Sequence, residues 1–142
     1  MKSRSAKNKG QRLTKEVREL LLAHLGLNND DVNVVPSGVK GEDLWLSPVA
    51  RGRFPLSVEC KNQESLNIWA ALDQATGHHL DYPGVVFFKR NRSPIFVACE
   101  AEVFLAFVAK ACSAGADGEK EIVLNSEVGS ETNPKLGETK IA

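Results

Sequence analysis

GEDLWLSPVARGRFPLSVECK, residues 41–61, contains two short apolar runs separated by a turn-rich segment. In residues 55–61, Leu56, Val58 and Cys60 alternate with Ser57, Glu59 and Lys61, the period-two pattern of a strand with one buried face. Glu59 and Lys61 therefore point the same way. An acid and an ammonium among apolar neighbours are costly to bury unless they bind something. Upstream, Asp43 opens the run Leu44, Trp45, Leu46 and sets a second carboxylate at a strand edge. Residues 47–54 hold Pro48 and Gly52 and read as a hairpin loop, which would bring Asp43 alongside Glu59. Two converging carboxylates make a hard-oxygen site suited to magnesium or manganese, and Lys61 adds positive charge beside it.

The rest of the chain frames this pair. Its 142 residues suit one modest domain, and 18 Lys and Arg balance 18 Asp and Glu. The balance is uneven along the chain, with fifteen basic and twelve acidic residues up to Cys112 and three basic and six acidic after it. Cys60, Cys99 and Cys112 are odd in number and lack CxxC spacing, which argues against a disulfide framework or a zinc knuckle and fits a reducing cytoplasm. No apolar run approaches the roughly 18 residues of a spanning helix, and the start of the chain lacks a signal peptide's apolar core. The expectation is a soluble, intracellular protein.

Residues 1–10 carry Lys2, Arg4, Lys7 and Lys9 without an acid and read as a flexible basic arm attracted to phosphate. Leu13, Val17, Leu20, Leu21 and His24 recur at helical spacing before Gly26. With Leu13 at zero, the apolar stripe spans about −20° to 80°; Glu16 falls near −60°, at its border, and Glu19 near −120°, in solvent. Residues 32–35 suggest a short strand, and Gly38 and Gly41 read as turn glycines. Residues 62–78 are rich in helix formers, with Leu66, Trp69, Ala70 and Asp73 on one face, Gln74 at its border and Trp69 read as core rather than as a base-stacking platform. His78 and His79 are adjacent, have no partner motif and are read as structural. Residues 84–88, GVVFF, predict a central buried strand, and residues 95–98 another; between them Lys89, Arg90 and Arg92 form the densest basic patch. Residues 100–112 predict a packing helix. Residues 113–142 read as a disordered acidic tail in which residues 122–124 would pair as an edge strand.

The order helix, strand, strand, helix, strand, strand, helix predicts an α/β sandwich with a mixed central sheet flanked by helices. Asp43 with Glu59-Cys60-Lys61, a preceding helix bearing Glu16 and a following helix bearing Gln74 resemble the PD-(D/E)XK nuclease superfamily in letters and element order. Within it, GQRLTKEVRELLL, GEDLWLSP, RFPLSVECKNQ and NIWAALDQA look most like small phage and prophage nucleases related to archaeal Holliday junction resolvases. The likeness covers residues 11–112; Glu42-Asp43 stands where the family has Pro-Asp.

That resemblance implies a restriction-endonuclease-like fold and a metal-dependent DNA endonuclease, structure-selective in the manner of a junction resolvase. Asp43, Glu59 and the Cys60 backbone carbonyl would hold Mg²⁺, or Mn²⁺ in its place, with Glu16 reaching the site directly or through water. Lys61 would orient the attacking water and Gln74 would support the site, so that Glu16, Asp43, Glu59, Lys61 and Gln74 form the implied catalytic set. Lys7, Lys9, Lys89, Arg90 and Arg92 are the candidate DNA contacts. No organic cofactor is called for. The implied partners are DNA, branched DNA included, and a second copy of the chain, with the host cytoplasm as the location of a phage-encoded protein. The alternative is a catalytically silent nuclease fold that binds DNA or serves in assembly.

Overall fold

In the computed structural model, which describes residues 3–115, Ser3 opens a 22-residue helix, α1 (Arg4–Leu25). Its hydroxyl accepts the Ala6 N–H at 3.3 Å, supplying the first orphan donor with a partner. The basic segment expected as a flexible arm is thus helical from Arg4, because Ser3 caps it and helix-compatible side chains continue from there into the amphipathic stretch. Gly26 closes α1 in the left-handed conformation at φ 60°, its N–H bonded to the Leu22 carbonyl.

A 3-10 turn, Asn29–Asp31, leads into β1 (Val32–Val34), which pairs antiparallel with β2 (Leu44–Leu46) in the register Val32 to Leu46. The segment expected as a hairpin loop is instead a short helix, α2 (Pro48–Arg53). Ser47 Oγ accepts the Ala50 N–H at 3.1 Å and Pro48 occupies the first helical position, so Ser-Pro acts here as a helix start rather than a turn. Consequently β2 and β3 (Ser57–Asn62) are not hairpin partners.

β3 pairs in parallel with β4 (Gly84–Lys89), Glu59 opposite Val86, and β5 (Phe96–Ala98) pairs antiparallel with β4. The expected single central sheet is therefore divided into a two-stranded and a mixed three-stranded sheet, with β4 central in the latter as its apolar run predicts. The connection from β3 to β4 is α3 (Ile68–Gly77), shorter than expected because β3 continues through Asn62 and Asn67 supplies the cap, its Oδ1 accepting the Ala70 N–H.

The three-stranded sheet is covered on both faces, which gives an α/β architecture of helices packed on a mixed sheet. Val58, Cys60, Val85 and Phe87 join Leu13, Val17 and Leu21 of α1 in the main core. Alternation sends Val86 and Phe88 the other way, onto Ala71 and Ala75 of α3. Gly84 permits that contact: a Cβ there would lie 2.4 Å from the Thr76 nitrogen. Trp69, expected in the core, is 77 % exposed because the small residues Ala71 and Ala75 face the sheet and put it on the far side of α3. The last helix, α4 (Ala101–Ala114), forms where expected and docks through half-buried Val103 and Phe107, though it buries no residue fully. The proposed edge strand at residues 122–124 and the tail beyond Gly115 lie outside the described residues, as do Met1 and Lys2. No helix among the described residues is long and apolar enough to cross a membrane.

Candidate functional site

Asp43 reaches β3 without a hairpin. Its N–H donates to the Val58 carbonyl at 3.0 Å, and its Oδ2 accepts the Cys60 N–H at 2.7 Å. The carboxylate thus takes the place of the next carbonyl in a ladder along the outer edge of β3, and it joins the two sheets there. Val58 and Cys60 present their backbone groups to this edge, since residues two apart in a strand do so alike. The Cys60 carbonyl therefore opens on the same side as Asp43. Burial raises the Asp43 carboxyl above its ordinary range; the Cys60 N–H opposes this and the nearby Glu59 charge reinforces it.

Glu59 and Lys61 point to the other side of the sheet edge, under α3, as the alternation predicts. Glu59 is 3 % exposed, yet both its oxygens have partners. Oε1 accepts from Lys61 Nζ at 2.8 Å and Oε2 from His78 Nε2 at 2.8 Å. Lys61 Nζ also donates to Gln74 Oε1 at 2.9 Å. Gln74, expected at the border of its helix face, is thus held by the lysine. His78, read as structural, proves to be the direct partner of Glu59. It was missed because two adjacent histidines without a partner motif give no sign of a distant carboxylate; His78 is the C-cap of α3, in helical conformation. The signal was present in the spacing: Gln74 and His78 stand four apart on a helix, as Lys61 and Glu59 stand two apart on a strand.

Asp43, Glu59, Cys60, Lys61 and Gln74 line one cleft of about 550 Å³. Its wall opposite β3 is formed by α1 residues Lys7, Gln11 and Thr14, and its rim by the turn carrying Gly38, whose φ of 95° favours glycine. Glu16 is not among the lining residues and is exposed to solvent. Counted from Leu13, the α1 residues on the cleft span about 20° to 160° of the helical wheel, the Thr14 edge of the apolar stripe, whereas Glu16 sits at about −60° on the opposite edge. The expectation that Glu16 reaches the site is thereby corrected. Cys60 keeps its thiol in the core, where burial pushes its pKa up.

The basic residues converge beside the cleft. Lys9 Nζ donates to Asn91 Oδ1 at 3.0 Å, fastening α1 to the β4–β5 turn that carries Lys89, Arg90 and Arg92. That turn is tight: Arg92 takes a φ of 60°, and Ser93 Oγ accepts the Arg90 N–H at 3.0 Å. Two basic segments 80 residues apart in sequence thus form one surface, with Lys7 inside the cleft.

No group of three or more His, Cys, Asp and Glu side chains able to hold a metal comes together among the described residues. The donors on the cleft are the Asp43 carboxylate, whose Oδ1 has no hydrogen-bond partner among the described residues, the Glu59 carboxylate and the Cys60 carbonyl. This sparse, all-oxygen set fits magnesium, which keeps several of its waters, and does not fit zinc. No protein-family model, curated protein or solved structure matches the chain.

Proposed function

We propose that this chain is a metal-dependent DNA endonuclease of the PD-(D/E)XK type on a restriction-endonuclease-like fold. The observation that carries the reading is the cleft itself: Asp43, Glu59, Cys60 and Lys61 line it together with Lys7, and Lys9 ties α1 to the basic β4–β5 turn. Asp43, Glu59 and the Cys60 carbonyl would hold Mg²⁺. Bound there, the ion would supply Lewis acidity toward a phosphate oxygen and a water of lowered pKa. Lys61, anchored by Gln74, would orient an attacking water and offset charge on the phosphate. Lys7 within the cleft and Lys9, Lys89, Arg90 and Arg92 beside it neutralise backbone phosphates, a contact that positions DNA without reading its sequence.

A second copy of the chain is the occupant we assign to the outer face of α4. Phe104, Leu105 and Val108 there are 41–60 % exposed. These three side chains leave on the order of 300 Å² of apolar surface uncovered, enough for the core of a contact smaller than a standard interface.

The test is a cleavage panel in Mg²⁺ with four-way junction, flap, single-stranded and linear duplex DNA, comparing the native protein with Asp43→Ala, Glu59→Ala and Lys61→Ala. Cleavage that disappears in all three folded variants supports the reading, and the preferred substrate names the activity. Unchanged cleavage in the three would end it. The second reading, a silent DNA-binding module, draws on the closed contacts of Glu59, whose two oxygens are already engaged by Lys61 and His78. Binding to DNA without cleavage in either Mg²⁺ or Mn²⁺ would favour it.

A further inference from the structure

We propose that His78 is the positioning residue of the cleft, holding Glu59 through Oε2 while Lys61 yields Oε1 to an entering divalent cation. The inference rests on the endonuclease reading and extends it to a residue outside the Asp, Glu and Lys set. Four residues of a helix rise about 6 Å and two residues of a strand about 6.6 Å. A helix running back along β3 therefore sets Gln74 over Lys61 and His78 over Glu59 in one register, as the 2.9 Å and 2.8 Å contacts show. The two partners of Glu59 differ in what they can give up. Lys61 has a second acceptor in Gln74 and can leave Oε1 without being stranded. His78 has no other side-chain acceptor for Nε2 among the described residues, and its side chain is 17 % exposed beside a carboxylate at 4 %. A carboxylate only accepts, so Nε2 carries the hydrogen. Cation entry is then an exchange at one oxygen of a carboxylate that need not turn, because the other oxygen stays fixed.

Two variants isolate the contact. In His78→Gln the amide nitrogen falls where Nε2 lies; in His78→Asn the same amide stops one methylene short. Titration calorimetry with Mn²⁺ alone, without DNA, is expected to show His78→Asn weakened about 10–100-fold, the usual consequence of releasing a ligand's outer partner, while His78→Gln stays close to the native protein. Lys61→Met should bind Mn²⁺ as tightly as the native protein or more so, since the ion no longer competes with the ammonium for Oε1. Thermal unfolding without metal accompanies each titration, so that a loss of fold is separated from a loss of binding. Native binding with His78→Asn within twofold of it, or with His78→Gln as weak as His78→Asn, overturns the role of His78 alone. A native protein that shows no saturable Mn²⁺ binding overturns the endonuclease reading, and the role of His78 falls with it.

Discussion

Replacing Asp43 by alanine and, separately, by asparagine takes apart the two tasks of this residue, joining the sheets and presenting charge. In Asp43→Ala the Cys60 N–H, on the outer edge of β3, loses the acceptor that now sits at 2.7 Å. A hydrogen bond to a charged group contributes about 1.5–3 kcal/mol, and a stranded donor costs a similar amount. Asparagine keeps a carbonyl oxygen at that place and removes only the charge. The charge is a net cost in the metal-free protein. Burial, seconded by the Glu59 charge, raises the Asp43 carboxyl above 3.8, so the folded state holds its proton more readily than the unfolded chain. The contribution of this group to stability therefore falls as pH rises from 3.8 through the raised value. In EDTA at pH 7, Asp43→Asn should be at least as stable as the native protein. Asp43→Ala should be less stable than Asp43→Asn by about 2 kcal/mol, roughly 8 °C in Tm for a domain near 100 residues. Urea and thermal denaturation measure the difference, and both variants should lack Mg²⁺-dependent cleavage. Equal unfolding midpoints for Ala and Asn would refute the reasoning, because the bond to Cys60 would then contribute nothing.

Gly84→Ala forces a Cβ against the α3 backbone at 2.4 Å; we expect a loss of about 1–3 kcal/mol from overpacking in a denaturant titration. Cleavage should fall further than stability, since Gln74 and His78 shift with α3 away from Lys61 and Glu59. Asp31 ties the 3-10 turn to α2: the Ser47 hydroxyl, first, and the Asn28 N–H hold its carboxyl below the ordinary 3.8. A depressed acid contributes stability above its unfolded pKa and loses it as pH falls through the folded one. Asp31→Asn should thus lower Tm at pH 7, with the gap to the native protein closing below about pH 3.8; a gap independent of pH contradicts that origin. Leu105→Glu places a charge on the outer face of α4, and light scattering should find the native chain dimeric and the variant monomeric with an unchanged far-ultraviolet spectrum. A native monomer at all accessible concentrations removes the assignment of that face.

The sequence by itself determined the local periods. Alternation in residues 55–61 placed Glu59 and Lys61 on one side of β3 and Cys60 on the other, helical spacing gave α1 with its stop at Gly26, and the apolar run GVVFF gave the central strand. These follow from short-range sterics and from which face must be dry, both of which the residues carry with them. It also pointed to Gln74, since a polar group at the border of an apolar face needs a partner. Tertiary structure alone decided what met what. Ser47-Pro48 suits a turn or a helix start equally well, and only its packing made it α2, so Asp43 meets the edge of β3 through a side-chain bond to Cys60 rather than through a hairpin. Glu16 and Thr14 flank the same apolar stripe, and which flank faces the cleft depends on how α1 is rotated against β3, a long-range fact. His78 became the partner of Glu59 for the same reason: helix and strand rises agree over that span only once α3 lies along β3, and no window of sequence shorter than the whole crossover contains that geometry.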